Sequence, residues 1–378
     1  MLKFFTFINL LLATVSLPLM ALEIDSEKLF LSRLQPSSKV TSTKHTITVS
    51  NATELLNAVN KANTQGDTLI YLHEGQYNLK QTLFIKANNI HIVSLSQNPF
   101  NTVISGQGMR ATKTVDNLIR VSGANFQLDG VTLEEVGNHL IQIVGESEAN
   151  NPTIRNSVLQ NGYEQLLKVT YDNKKPNAYS SSGIVENCLF RYTAGIGPNY
   201  YIGGIDAHGI KNWVINNNIF ENIASPSRYI AEHAIHIWNN SAYNEVSNNI
   251  IINSDRGIGF GMYAPKKINH RYGHLGGEIR NNIIYHADNN HPFADTGIIL
   301  EQSPDTNIVS NLILLEHNYH SAIEYRFTST VNVLIAKNIT NKNIRKRDAA
   351  EAILLENITN KKQSELALKE KLKLFLKH

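Results

Sequence analysis

For most of its length the chain alternates short apolar phrases with polar turns, and Ile and Val dominate the apolar positions. β-Branched residues in short runs bounded by Asn, Gly and Ser favour strands. Helical spacing interrupts this pattern near each end. At the first interruption, Asn51-Ala-Thr-Glu54 has the form of a capped helix start. Leu55, Leu56, Val59 and Ala62 then follow on one face. The spacing predicts a helix from about Ala52 to Ala62, closed by Gly66-Asp67. Strand patterns take over at Thr68–Leu72, Thr82–Ile85 and Ile90–Val93.

One phrase then recurs. It reads Ile154-Arg-Asn-Ser-Val158, Val185-Glu-Asn-Cys-Leu189, Ile215-Asn-Asn-Asn-Ile219 and Val246-Ser-Asn-Asn-Ile250. It continues as Ile279-Arg-Asn-Asn-Ile283, Val309-Ser-Asn-Leu-Ile313 and Ile335-Ala-Lys-Asn-Ile339, with first positions 26 to 33 residues apart. Near-constant spacing of this kind marks a solenoid. No pair of amphipathic helices fits within the unit, whereas coils of three short strands do. The pattern therefore predicts an all-β, single-stranded parallel β-helix. Asn tolerates left-handed backbone angles and bonds its own kind one coil away. Asn156, Asn187, Asn217, Asn248, Asn281 and Asn311 are expected to stack as a structural ladder.

The second interruption, residues 361–378, carries six Lys against two Glu and aligns Leu368, Leu372, Phe375 and Leu376 on one helical face. This is read as an amphipathic helix covering the open end of the solenoid, because exposed coil edges aggregate. A membrane-surface or partner helix is the alternative. At the other end, Lys3 precedes an apolar run to Met20, with a small-residue site at Ala21. That is the form of a secretory signal peptide, short of the ~20 apolar residues of a membrane span. A short membrane anchor is the other reading of this run. The expected organisation is a signal peptide at 1–21, an N-terminal extension at 22–48, a β-helix domain at 49–360 and a helical tail at 361–378. The mature protein is expected to be periplasmic or secreted, and not integral to a membrane after cleavage.

Composition narrows this picture. The 378 residues carry 35 Lys and Arg against 32 Asp and Glu, a formal charge of +3, which offers no basic face of the kind nucleic acid requires. Charged residues at 18% and hydrophobic residues at 42% exclude a disordered chain. The single cysteine, Cys188, lies in an apolar phrase and reads as core, so no disulfide and no multi-cysteine metal site exists within the chain.

With its entry segment Glu54-Leu-Leu-Asn-Ala-Val-Asn-Lys-Ala62, Gly66-Asp-Thr-Leu-Ile70 and Gly75-Gln-Tyr77, the sequence resembles the right-handed parallel β-helix proteins of the pectate-lyase-like superfamily. The entry segment resembles the capping helix and first strands of chondroitinase-B-like and alginate-lyase-like polysaccharide lyases. The resemblance covers roughly Val49 to Asn360 and rests on scaffold motifs. It implies the fold and a carbohydrate-active function, and it carries no catalytic signature onto individual positions.

A second apolar phrase in each repeat locates candidate chemistry: Ile141-Gln-Ile-Val, Leu167-Lys-Val-Thr, Ile205-Asp-Ala-His, Ile235-His-Ile-Trp, Ile258-Gly-Phe-Gly, Ile298-Ile-Leu-Glu and Ile323-Glu-Tyr-Arg. In a strand, second and fourth residues face away from a buried first. Lys168, Asp206, His208, His236, Trp238, Glu301, Glu324 and Arg326 thus fall on one outward face. Gly259 and Gly261 leave a bare floor, and Glu232, Asp255 and Asp295 lie along one edge. Long loops bring Lys266, Lys267, His270, Arg271, Tyr272 and His274 over the trough, and Tyr171, Lys174, Lys175 and Tyr179 to the same side. His233 and His236 with Glu232 and Asp255 invite a metal reading, but their spacing on a strand requires a bend.

Three functions fit this face. A lyase acting on an acidic glycan needs a carboxylate neutraliser (Arg326, Arg256, Lys168 or Ca²⁺), a base (His208 or His236) and an acid for the leaving oxygen. Asp206, Glu232, Asp255, Asp295 and Glu301 offer the hard oxygens that Ca²⁺ prefers. The tentative metal ligands are Glu232, Asp255 and Asp295. Trp238, Glu301, Glu324, Arg271 and Lys266 are candidate substrate contacts. A glycoside hydrolase needs two carboxylates, with Asp206 and Asp255 or Glu301 and Glu324 as pairs. A glycan-binding surface protein without catalysis predicts mutually salt-bridged groups and a shallow trough.

Overall fold

The computed structural model describes residues 24–36, 43–110, 115–262, 272–287 and 293–375. The signal-like run, Lys266 and Arg271 lie outside them. Each coil runs through three parallel sheets in turn, for example Thr153–Arg155, then Val158–Gly162, then Leu167–Thr170. Among the described residues these sheets have twelve, eleven and ten strands, with a short four-stranded sheet at one corner. The chain is a right-handed parallel β-helix. Ile154, Val185, Ile215, Val246, Ile279, Ile308 and Ile335 pair in succession on the first sheet and are fully buried. Parallel strands buried on the inner face read as β-branched runs for this reason.

Helix Ala52–Gln65 closes the N-terminal end. Asn51 accepts the Glu54 amide at 3.0 Å, and Leu55, Ala58, Val59 and Ala62 face the core. Gly66 ends it at a φ of +66°. Strand His45–Val49 already pairs with Thr68–Leu72, so the solenoid begins before residue 49.

The asparagine turn corrects the expected alignment. Asn156, Asn187, Asn217, Asn248 and Asn281 hold φ between 48° and 58°, the left-handed corner of each coil. The next corner is Ser310, not Asn311, because Ile308 rather than Val309 pairs with Ile279. Asn311 belongs to a second ladder one position later, enclosed from Asn218 through Asn249, Asn282 and Asn311 to Asn338 and ending at the half-buried Asn357. Each backbone N–H from Asn218 to Asn338 donates to the next side-chain oxygen at 2.9–3.0 Å.

The C-terminal helix Lys361–Phe375 does not cover the open end. It lies along the outer face of the second sheet, where Leu368 and Leu372 pack with Leu312, Leu314 and Ile283. The short helix Ser26–Leu31 sits on the same face through Leu29 and Phe30. Both cover an outward stripe of apolar residues that the coil itself cannot bury. Ile353, Leu354 and Leu355 at the last coil remain exposed. Among the described residues, no helix is long and apolar enough to cross a membrane.

Two enclosed histidines set an acid limit on stability. Burial lowers His139 to about 4 and His274 to about 3, from an unfolded value of 6.5. Below that unfolded value the unfolded chain takes up protons the folded chain refuses. Stability is therefore complete above about pH 6.5 and falls as the pH drops towards 4. Each ring is expected to cost about 2 kcal/mol at pH 5. Urea denaturation at pH 7.5 and pH 5 checks this. The wild type loses several kcal/mol between the two, and His139→Gln/His274→Gln removes the share owed to these two rings, leaving that of His233, which burial likewise lowers to about 3.

Candidate active site

The third sheet carries the candidate groups in the register its alternation implies. Lys168 pairs with Asp206, Asp206 with His236, His236 with Gly259, Gly259 with Ile299 and Ile299 with Glu324. In the parallel column, His208 pairs with Trp238, and Gly261 pairs with Glu301, which pairs with Arg326. The first residues of these phrases, from Leu167 to Ile323, are fully buried in the core. The columns face outward, but loops and neighbouring side chains cover much of them.

The densest chemistry is at Lys168. Its ammonium donates to Asp206 and, at 3.0 Å, to Nε2 of His208. Trp238 donates its indole N–H to the other Asp206 oxygen at 2.8 Å. The Trp238 ring lies 4.3 Å from the His208 ring, and Asn239 reaches His208 Nδ1 at 3.2 Å. Burial pushes the Asp206 carboxyl up, yet His208, Lys168 and His236 outweigh it and hold the carboxyl well below its ordinary range. Burial keeps the His208 pKa below the ordinary imidazole value. The His208 Nε2 faces a half-buried ammonium. Trp238 is committed to Asp206 and His208, so it positions these groups and does not offer a free face to a sugar.

One coil on, the turn before strand Ile235–Trp238 supplies the bend that sequence spacing required. It brings Glu232, His233 and His236 together, with the two imidazole rings 4.6 Å apart. His236 donates Nε2–H to the Gly261 carbonyl at 3.0 Å, and its Nδ1 lies 3.3 Å from Glu232. Only 3% of His236 is exposed and its Nε2 is held by the Gly261 carbonyl, which removes it as a base acting on substrate. The glycine floor is not bare either. His233 lies over Gly259, where an added Cβ would come within 2.8 Å of its Nε2.

The expected metal trio does not assemble. Asp255 is 1% exposed, and its Oδ2 accepts the backbone amides of Ser225 and Ala231 at 3.0 Å, so it is a turn-holding group. Asp295 pairs with Arg256 at 3.3 Å and bonds Thr296. Among the described residues, Glu232, Asp255 and Asp295 do not bring their carboxylate oxygens within 4.8 Å of one another. Glu324 is enclosed and held by Arg347, Arg345 and Tyr319, out of reach of a groove ligand. Arg326 is tied to Glu301 at 3.4 Å and Asp348 at 2.8 Å. It lies four coils from His208, roughly 19 Å at the strand spacing, so the two do not act on one sugar ring. The carboxylate pairs suggested for hydrolysis each contain a member committed elsewhere, Asp255 in one and Glu324 in the other.

Loops missed by sequence reasoning form the groove itself. A depression of about 590 Å³ is lined by Tyr200, Tyr201, Tyr229, Arg228, Arg256 and Tyr319, with Glu232 and Asp295 on its floor. Tyr200 stacks obliquely on Tyr229 at 5.2 Å, and Arg228 lies over Tyr229 at 5.0 Å. Tyr201 precedes the strand Ile205–His208 that carries Asp206 and His208, which places the Lys168 cluster next along the chain from this loop. The available signal was positional: Tyr200-Tyr201 and Arg228-Tyr229 stand just before the two strands that carry Asp206, His208 and His236. Tyr171 and Tyr179 are committed to the corner of the coil, to Asn240 at 2.9 Å and Lys211 at 3.9 Å.

No protein-family model matches the chain, and no curated protein matches it in sequence. Solved structures do resemble it. An alginate lyase from Paenibacillus sp. str. FPU-7 aligns over 84% of this chain and 100% of its own, at 17% identity and a TM-score of 0.59. PfbA, a surface adhesin of Streptococcus pneumoniae, aligns over 82% and 88%, at 14% identity and 0.58. A glycoside hydrolase aligns over 87% and 98%, at 8% identity and 0.61. At these identities the likeness is one of fold.

Proposed function

We propose that the protein is an exported polysaccharide lyase that cleaves an acidic, uronate-containing glycan by β-elimination in the Tyr200–Tyr229 groove. The observation that carries this reading is the contact between a half-buried His208, its pKa lowered by burial, and the Lys168 ammonium, with His208 on the strand that follows the Tyr200-Tyr201 loop of an aromatic depression. Elimination needs cationic help for the uronate carboxylate and a base for the C5 proton. Lys168 exchanges its bond to His208 for the substrate carboxylate, which frees His208 Nε2 to take the proton. Burial raises the Tyr201 pKa, so its phenol stays protonated and serves as the proton source for the leaving oxygen. Tyr200 and Tyr229 stack on flanking sugars, and Arg228 and Arg256 face their carboxylates. The shared fold with an alginate lyase supports the substrate class by analogy.

The test is incubation of the chain from Leu22 to His378 with alginate, pectate and chondroitin. A rise in ultraviolet absorbance from an unsaturated uronate is the expected result. A second reading, hydrolysis, rests on one observation. Two carboxyls on the groove floor differ in environment, Asp295 being raised by burial and Glu232 held low by its two imidazoles despite burial. New reducing ends without the absorbance would favour it. Neither signal would leave a glycan-binding surface protein.

A further inference from the structure

We propose that Glu232, His233 and His236 form a binding site for a divalent transition metal of the Zn²⁺ class. The site is independent of the glycan reading. The three donor atoms lie within 4.8 Å of one another. Glu232 Oε2 stands 3.3 Å from His236 Nδ1 and 3.8 Å from His233 Nδ1. Two ligands each about 2.0–2.1 Å from a tetrahedral metal are separated by roughly 3.4 Å. Glu232 and His236 thus already stand at that spacing, and His233 lies a few tenths of an ångström beyond it.

Three further features point to a ligand. His233 is 5% exposed, and neither of its ring nitrogens has a hydrogen-bond partner. A buried polar ring without partners is rare in native proteins. A proton shared between Glu232 and His236 would satisfy those two groups and leave His233 with nothing. A metal ion satisfies all three. Second, the Nε2–H of His236 is held by the Gly261 carbonyl, which fixes the tautomer and turns the Nδ1 lone pair towards Glu232. Backbone-anchored imidazoles of this kind are the usual outer support of metal ligands. Third, Gly259 leaves the space His233 occupies, since any Cβ there would meet the ring at 2.8–3.0 Å.

The donor set decides the metal class. Two imidazole nitrogens and one carboxylate oxygen suit Zn²⁺ and its neighbours rather than Ca²⁺, which takes six to eight oxygens. Three protein ligands leave a coordination position open. Glu232 lines the groove, so that position is left to water or to an oxygen of the groove's occupant.

The test is titration of the chelator-treated full chain with Zn²⁺, Co²⁺ and Ca²⁺, by calorimetry and, for Co²⁺, by visible absorption. One Zn²⁺ per chain at sub-micromolar affinity is expected, with Co²⁺ bands of a low-coordinate site. His233→Ala and Glu232→Gln should each weaken binding by about 100-fold or more, with unchanged circular dichroism. Gly259→Ala keeps every donor but displaces the His233 ring, and should also weaken it. His139→Gln, at a separate buried histidine, should not. Binding by Ca²⁺ in place of Zn²⁺, no stoichiometric binding, or binding indifferent to His233 and Glu232 would each overturn the site. The titration contains no glycan, so failure to cleave polysaccharide leaves it standing. Cleavage by a chain that binds no metal refutes this site alone.

Discussion

Lys168→Met is expected to reduce uronate elimination by about 10³-fold, within the 10²–10⁴ typical of acid–base groups, the largest loss of any single groove substitution. Methionine keeps the length of the side chain and removes the charge that the substrate carboxylate would meet. The same change leaves Asp206 enclosed with only the Trp238 indole and His208 as partners. Breaking a buried ion pair by deleting one partner destabilises by about 3–5 kcal/mol, so activity alone is ambiguous. Lys168→Met/Asp206→Asn removes both charges and separates the effects. If it recovers thermal stability but not activity, Lys168 acts on substrate. If both recover, the lysine only neutralises Asp206 and the assignment fails.

His208 gives an independent check through pH. Burial lowers its pKa from 6.5, so the imidazole is a free base throughout the neutral range. The acid limb of kcat/KM is expected to have its midpoint below 6.5. His208→Gln should abolish that limb along with most of the rate. An acid limb that persists in the variant would assign the base to another group.

The outward columns of the third sheet were legible because a strand has a period of two, and a core of Ile and Leu pins it. Once Ile205 and Ile235 are inside, Asp206, His208, His236 and Trp238 have only one face left. Reach and company were not legible. Asp255 reads as an edge carboxylate, yet its oxygen is spent on the amides of Ser225 and Ala231, partners about 24 to 30 residues away set by how a coil closes. Glu324 looks like a groove group until arginines from the following coil enclose it. Tyr200, Tyr201 and Tyr229 sit in loops without periodicity, so nothing in the repeat marks them. The helical tail shows the same limit. Its amphipathic face was readable, but not the outer apolar stripe on Ile283, Leu312 and Leu314 that claims it.

Asn249→Ala is expected to destabilise the solenoid by about 4 kcal/mol or more, a large share of the 5–15 kcal/mol that holds an ordinary domain. The Asn249 side chain accepts the backbone and side-chain N–H groups of Asn218 at 2.9 and 3.0 Å. It donates to the Ile215 carbonyl at 2.9 Å and to Asn282 at 3.0 Å. Alanine removes all four bonds where no water enters, and each orphaned buried group costs about 1–3 kcal/mol. Asn217 is the contrast. It stands at the left-handed corner with φ 58°, half-buried, and donates to Asn187 at 2.6 Å. Asn217→Ala should cost only about 1–2 kcal/mol, the strain of a left-handed residue with a Cβ, and Asn217→Gly less. Urea denaturation of the three variants ranks them. Hydrogen exchange should show the Asn249→Ala loss concentrated in the coils on either side, because each coil contacts only its neighbours. If Asn217→Ala proves the more damaging, the corner conformation holds the coil, and the enclosed ladder merely follows it.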